Sequence, residues 1–69
     1  MTRSRAIALI VTTRKAMLAH AGERLPPETK RLRDGAAVLE RVLLDVRAGR
    51  LDAFELSYPR PLHVTISSD

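Results

Sequence analysis

The sequence has no cysteine, no tryptophan and only one phenylalanine and one tyrosine, Phe54 and Tyr58. Without cysteine the chain forms no disulfide, and it lacks the ligand that most structural zinc sites use. Small domains without these two reinforcements commonly gain stability by self-association. For a chain of 69 residues, 45% of them hydrophobic, we therefore expect a single domain, residues 1–69, that is completed as a homodimer.

Motifs that carry chemistry are also missing. The three glycines, Gly22, Gly35 and Gly49, are isolated, so no glycine-rich loop is available to cradle a phosphate. The two histidines, His20 and His63, fall on different predicted elements, and no serine lies in a nucleophile motif. We therefore predict no catalytic site, no cofactor and no metal site, in a protein that is not an enzyme.

Long apolar runs are absent as well. The run from Ala6 to Val11 has six residues, far fewer than the roughly 18 that a membrane-spanning helix needs. Arg14 and Lys15 follow closely, where a secretory signal peptide would continue without charges. The sequence therefore predicts a cytoplasmic protein of bacterial or phage type, with no membrane partner.

What is present is a helical period over the first two thirds of the chain. Apolar residues at this period predict one helix over residues 4–21 and a second over residues 27–48. Gly35 lies on the apolar stripe of the second helix, where it either permits close helix approach or breaks the helix. The stripe of the first segment contains Ile7, Ile10, Val11, Met17, Leu18, Ala21 and Leu25.

After Gly49 the apolar residues alternate with a period of two, which predicts short strands over residues 53–58 and 62–67. Pro59, Arg60 and Pro61 between them either form a hairpin turn or hold an extended arm. The predicted fold class is thus α+β, an antiparallel helical hairpin followed by two short C-terminal strands. Because a two-stranded sheet is marginal in water, we expect dimerisation to complete it with four strands.

Several side chains depart from the helical pattern and are candidates for partner binding. Arg14 lies within the first apolar stripe, where it either pairs with Glu40 or Asp45 or faces a partner. The opposite face of the same helix is either a seam of small side chains suited to close helix contact or an ordinary exposed face. This seam consists of Leu9, Thr13, Ala16 and His20. The predicted partner-binding residues are Arg14, Leu9, Thr13, Ala16, His20, Phe54 and Tyr58.

Charge is unevenly distributed along the chain. The formal net charge is +4, with eight basic and two acidic residues in residues 1–33 against four and six in residues 34–69. A basic half suits an acidic protein surface or nucleic acid, although no aromatic side chain is interleaved for base stacking. The predicted nucleic-acid contacts are Arg3, Arg5, Arg24, Lys30, Arg31 and Arg33.

In length, in its cysteine-free and arginine-rich composition and in its lack of catalytic motifs, the chain is similar to small phage-encoded accessory proteins such as anti-CRISPRs and anti-activators of quorum sensing. The resemblance implies stoichiometric blocking of a host protein. We therefore expect a homodimeric, non-catalytic module that binds a host or cellular protein and inhibits or modulates it by occupying a surface. The alternative is a transcriptional regulator that binds nucleic acid through the basic half.

Overall fold

Two antiparallel helices and a β-hairpin make up the fold. The computed structural model describes residues 1–58 and 60–67. Helix α1 spans Arg3–Ala21 and helix α2 spans Glu28–Arg47, followed by strand β1, Ala53–Leu56, and strand β2, Leu62–Thr65. The predicted α+β class, a helical hairpin followed by two antiparallel C-terminal strands, is confirmed. Within the described residues, neither helix combines the length and the apolar content that a bilayer crossing requires.

Local signals set the helix ends close to their predicted positions. α1 begins at residue 3 because the Thr2 side chain accepts a hydrogen bond of 3.2 Å from the backbone nitrogen of Arg5, which satisfies one free donor of the first turn. α2 ends at Arg47, and Gly49 then adopts a φ of 76°. This left-handed conformation favours glycine, because other residues meet a steric penalty from their Cβ atom.

Gly35 lies inside an unbroken α2, so its role is close helix approach and not helix termination. A Cβ atom at this position would lie 2.5 Å from Cε of Met17 on α1. The missing side chain therefore leaves room for the end of a buried methionine. Of the two interpretations of Gly35 drawn from the sequence, the one in which the residue breaks the helix is wrong.

The two strands pair with each other within one chain. Phe54 lies opposite Val64 and Leu56 lies opposite Leu62 in an antiparallel register. This pairing establishes a hairpin in place of the extended arm, although Pro59 itself lies outside the described residues. Each strand ends two residues earlier than predicted, and the predicted domain likewise extends through residues 68–69, which are not described.

One apolar core joins the helices to the hairpin. The inner side chains of the strands lie at most 8% exposed, as do those of the helices that meet them. The hairpin therefore buries its apolar face without a second copy of the chain, and dimerisation stays a prediction that the core does not require. The core cluster consists of Ala6, Ile10, Met17, Ala36, Leu39, Val46, Phe54, Leu56, Val64 and Ile66.

The buried side of α1 differs from the predicted apolar stripe. Leu18 and Leu25, which the stripe places in the core, are exposed. The predicted stripe points to the wrong side of α1, because the prediction assumed that α1 packs against α2 alone. The hairpin in fact packs on a second side of α1, next to Thr13, and shifts the buried face toward it. The residues of α1 that are buried are Ala6, Ile10, Thr13, Met17 and Ala21.

The predicted seam for helix contact is covered by the hairpin. Thr13 is buried, Leu9 and Ala16 are half-buried, and the ring of His20 contacts that of Tyr58. The expectation that these four seam residues lie outside the core is therefore wrong for Thr13 and Leu9. Phe54, predicted as a partner contact, is also buried in the core, because its strand turns this side chain toward the helices.

Arg3 ties the start of α1 to the end of α2. Its Nη1 atom donates hydrogen bonds to the backbone oxygens of Val46, at 2.6 Å, and Leu51, at 3.3 Å. Its Nη2 atom lies 3.2 Å from Oδ1 of Asp52. Arg3 therefore links the two helices within the chain, and its predicted contact with nucleic acid stays a prediction.

Candidate functional site

The side of the helix pair that faces away from the hairpin carries uncovered apolar side chains. The contacts between Met17 and Gly35 and between Arg14 and Glu40 fix how α1 faces α2. Residues three or four apart share a helix face, so Val11 and Leu18 flank Arg14 while Leu44 lies one turn beyond Glu40. We call this surface the outer helix face and define it by Ile7, Val11, Leu18 and Leu44.

Exposure distinguishes the outer helix face from the core beneath it. Leu44 is 60% exposed and Leu18 is 39% exposed, while Ile7 and Val11 are half-buried. Leu44 lies off the apolar stripe of α2 that faces the core, as does Val38, which is 59% exposed. Val38 lies on a different side of α2, six residues away, so the two residues do not share one patch.

Arg14 lies at the centre of the outer helix face with incomplete pairing. Its Nη2 atom is 3.7 Å from Oε2 of Glu40, which matches one of its two predicted partners; Asp45, the other, lies 3.6 Å from Arg50 instead. The Nε atom of Arg14 is buried and has no hydrogen-bond partner within the described residues. An arginine surrounded by apolar side chains and poorly paired in its own chain has the character of a binding hot spot.

A cavity of about 380 Å³ opens where the helix turn meets the end of the hairpin. We call it the end cavity. It brings together two predicted partner-binding residues with two predicted nucleic-acid contacts, which the sequence assigned to separate functions. Its lining consists of His20, Arg24, Glu28, Arg31, Leu32 and Tyr58.

The end cavity has aromatic and charged walls. The rings of His20 and Tyr58 meet edge to face, with centroids 5.6 Å apart and planes inclined by 68°. Nη1 of Arg24 lies 3.7 Å from Oε2 of Glu28, whereas Arg31 takes part in no ion pair within the described residues. The cavity therefore joins a hydrogen-bonding aromatic wall to a net positive rim.

The turn beneath the end cavity is held by one hydroxyl group. The Oγ1 atom of Thr29 donates toward the backbone oxygens of Ala21, at 3.0 Å, and Arg24, at 2.6 Å. These contacts link the end of α1 to the start of α2. This turn sets the positions of Arg24 and Arg31 in the end cavity. The sequence contains no local motif that predicts the Thr29 contact.

The remaining predicted nucleic-acid contacts lie apart from one another. Arg5 is exposed near the start of α1, and Lys30 and Arg33 are exposed near the start of α2. Because the helices are antiparallel, these two groups lie at opposite ends of the helix pair. Lys30 and Arg33 therefore lie at the same end of the helix pair as the end cavity, while Arg5 lies at the other end.

Within the described residues, β1 pairs only with β2, so its outer edge has no strand partner. The backbone nitrogen of Ile66 donates to the oxygen of Asp52 at 2.7 Å, so in the alternating antiparallel pattern the backbone groups of Ala53 and Glu55 point away from β2. The corresponding edge of β2 is partly closed by Met1, which bonds Thr65 and Ser67.

Comparison with protein-family models, with curated proteins and with solved structures finds no match to this chain. Within the described residues, no group of three histidine, cysteine, aspartate or glutamate side chains is arranged to hold a metal ion. The candidate surfaces are therefore interpreted from their own geometry.

Proposed function

We propose that the protein is a small non-catalytic interaction module, a homodimer that binds a protein partner and modulates it by occupying a surface. The observation that carries the proposal is the outer helix face, where Leu18 and Leu44 stay uncovered around Arg14. A small monomeric protein rarely leaves apolar side chains grouped on one face unless they meet another surface. The resemblance in size and composition to phage-encoded inhibitors agrees with this mode of action.

The charges around the outer helix face favour an acidic partner. Lys15 and Arg33 are both exposed and flank the face on α1 and α2, while the carboxylate of Glu40 already faces Arg14. A net positive rim around an apolar centre is complementary to a protein surface with acidic residues around an apolar patch. The same charge weakens a direct pairing of two outer helix faces.

The open edge of β1 supports self-pairing instead. Its free backbone groups at Ala53 and Glu55 offer the hydrogen bonds that a second strand needs. Two copies joined antiparallel through β1 would form a four-stranded sheet, which is the dimer expected from the sequence. This arrangement leaves the outer helix face of each copy available to a partner.

Matched variants test the outer helix face. Leu44→Glu and Val38→Glu place the same charge on the same helix at 60% and 59% exposed positions, but only Leu44 belongs to the outer helix face. Affinity capture with each tagged variant from the native cell, followed by mass spectrometry, should yield one stoichiometric protein with Val38→Glu and lose it with Leu44→Glu. Retention by both variants would exclude this face as the binding surface.

A proline pair tests the β1 edge. Glu55 and His63 lie opposite each other, and both backbone nitrogens point away from the hairpin, so proline at either position removes no bond between the strands. Sedimentation of Glu55→Pro should show a monomer, whereas His63→Pro, which leaves the β1 edge intact, should show the dimer. A concentration-independent monomer for the unmodified chain would refute the homodimer.

Nucleic-acid binding is a second candidate, favoured by the exposure of Lys30, Arg31 and Arg33 near the start of α2. Binding driven by phosphate contacts should weaken steeply with salt, the logarithm of the affinity falling by roughly 0.9 per contact and per logarithmic unit of salt. A mobility shift with mixed DNA and RNA at low salt, abolished at high salt, would support this function. Absence of any shift at low salt would reject it.

A further inference from the structure

We propose that the end cavity binds a small organic anion, specifically a phosphate or carboxylate group attached to an aromatic ring. The cavity of about 380 Å³ lies within the range of known small-molecule sites, roughly 300–1,000 Å³. It is formed by three separate parts of the chain, the end of α1 with the turn after it, the start of α2, and Tyr58 in the loop of the hairpin. The site is distinct from the outer helix face and from the edge of β1, and it shares Arg31 with the candidate nucleic-acid contacts.

The two aromatic rings and the leucine that line the end cavity favour a ligand with an aromatic ring. His20 and Tyr58 meet edge to face, and Leu32 adds an apolar wall. Aromatic side chains attract a further ring through offset or edge-to-face contacts. A flat aromatic body therefore fits this wall better than a fully hydrated ion does.

The arginines specify the charge of the ligand. Arg24 shares its charge with Glu28 at 3.7 Å, a long contact between two groups that are more than half exposed and that an incoming anion can replace. Arg31 has no ion-pair partner within the described residues and lines the same cavity. Guanidinium groups bind carboxylate and phosphate through two parallel hydrogen bonds, so Arg31 is the principal contact for the oxyanion.

The first experiment follows ring signals of the full chain by NMR during titration with phenyl phosphate. The chain has one tyrosine and two histidines, so Tyr58 is assigned directly and His63, on β2, serves as an internal control. We expect saturable shifts of the Tyr58 and His20 rings with His63 unchanged. Shifts of His63 as large as those of His20, or no saturable shift, would overturn the proposal.

Three further probes separate the parts of the ligand. Inorganic phosphate tests the anion without a ring and benzyl alcohol tests the ring without a charge; each should bind at least about tenfold more weakly than phenyl phosphate. Benzoate distinguishes the source of the oxyanion, since equal affinity assigns a carboxylate and weaker affinity assigns a phosphate ester. Inorganic phosphate binding as tightly as phenyl phosphate would overturn the ring contact.

Arg31→Gln and Arg33→Gln form the matched pair of variants. Both positions are exposed on α2 and both variants remove one charge, but Arg33 does not line the end cavity. We expect Arg31→Gln to weaken phenyl phosphate binding by about five- to tenfold and Arg33→Gln by less than about twofold. Equal losses would show diffuse attraction to a basic protein and would overturn the site.

The outcome is independent of the proposed function. Arg31 and Leu44 lie on different sides of α2, so Leu44→Glu should leave phenyl phosphate binding unchanged while removing the protein partner. Retention of the partner by Leu44→Glu would reject the outer helix face alone, and the absence of saturable phenyl phosphate shifts in the unmodified chain would reject the end cavity alone.

Discussion

The hairpin side of the helix pair and the outer helix face carry similar apolar side chains but differ in burial. Ile10 is fully buried, whereas its neighbour Val11 is only half-buried. Hydropathy does not distinguish these two residues. The difference arises because the hairpin covers one side of α1, while no other described element covers the outer helix face. Burial along α1 therefore follows the position of the hairpin.

Two arginines show the same contrast. Arg3 has three internal partners at 2.6–3.3 Å, while Arg14 on the outer helix face has one carboxylate at 3.7 Å and a buried nitrogen with no partner within the described residues. The first arginine contributes to the fold because its donors are satisfied. The second contributes little to the fold, since pairing at that distance and exposure adds little stability.

The largest effect is expected from the core beneath the hairpin. Ile10→Ala should lower the free energy of unfolding by about 3 kcal/mol, because it removes a fully buried side chain and leaves a cavity. Val11→Ala, one residue away, should cost less than about 1 kcal/mol. Urea denaturation followed by circular dichroism measures both. Equal losses would mean that the outer helix face is buried as deeply as the core.

The next effect concerns the Arg3 contacts. Arg3→Met keeps an apolar side chain but removes the hydrogen bonds to Val46, near the end of α2, and to Leu51 in the loop that follows. This substitution should lower the free energy of unfolding by about 2 kcal/mol. Arg5→Met, at an exposed position two residues along, should change stability by less than about 0.5 kcal/mol. The same denaturation experiment checks the pair, and similar small values for both would remove the structural role of Arg3.

Gly35 tests the contact between the helices. Gly35→Ala should lower the free energy of unfolding by no more than about 0.5 kcal/mol, because displacing the flexible end of Met17, 2.5 Å away, only slightly outweighs the gain in helix propensity. In a Met17→Ala background the crowding is gone, and the same change should stabilise by about 0.5–1 kcal/mol. A double-mutant cycle measures this change of sign, and additive values would contradict the close approach.

The smallest effect is expected at Arg14. Arg14→Met should leave the free energy of unfolding within about 0.5 kcal/mol of the unmodified protein, or slightly above it, because the buried unpaired nitrogen is lost together with a weak ion pair. A loss similar to that of Arg3→Met would make Arg14 a structural residue. Partner capture with Arg14→Met should nevertheless fall, as expected for a hot spot.

Prediction from the sequence succeeded where the signal is local. The periodicity placed both helices within one residue of their observed ends, and the change of apolar period after Gly49 located both strands. The contact of Arg14 with Glu40 was among the predicted pairs because both residues lie near the helix interface. The α2 stripe was also correct, since its buried residues Ala36, Leu39 and Val46 belong to it.

Prediction failed where one helix has two neighbours. Apolar residues surround much of α1, so its sequence does not fix which side becomes core, and the seam at Leu9 and Thr13 was interpreted as free surface. The end cavity was missed for a related reason. His20, Arg31 and Tyr58 are far apart in the sequence, and only the return of the hairpin toward the helix turn brings them together.

The sequence by itself determined the elements, their order and the lack of any disulfide, because periodicity, caps and composition act over a few residues. The tertiary structure decided which apolar face of α1 is buried, which arginine stabilises the fold, and which side chains line the end cavity. Those outcomes depend on where the hairpin lies against the helices. That position is set by the packing of Phe54, Leu56, Val64 and Ile66 into one shared core, a long-range result that no local pattern encodes.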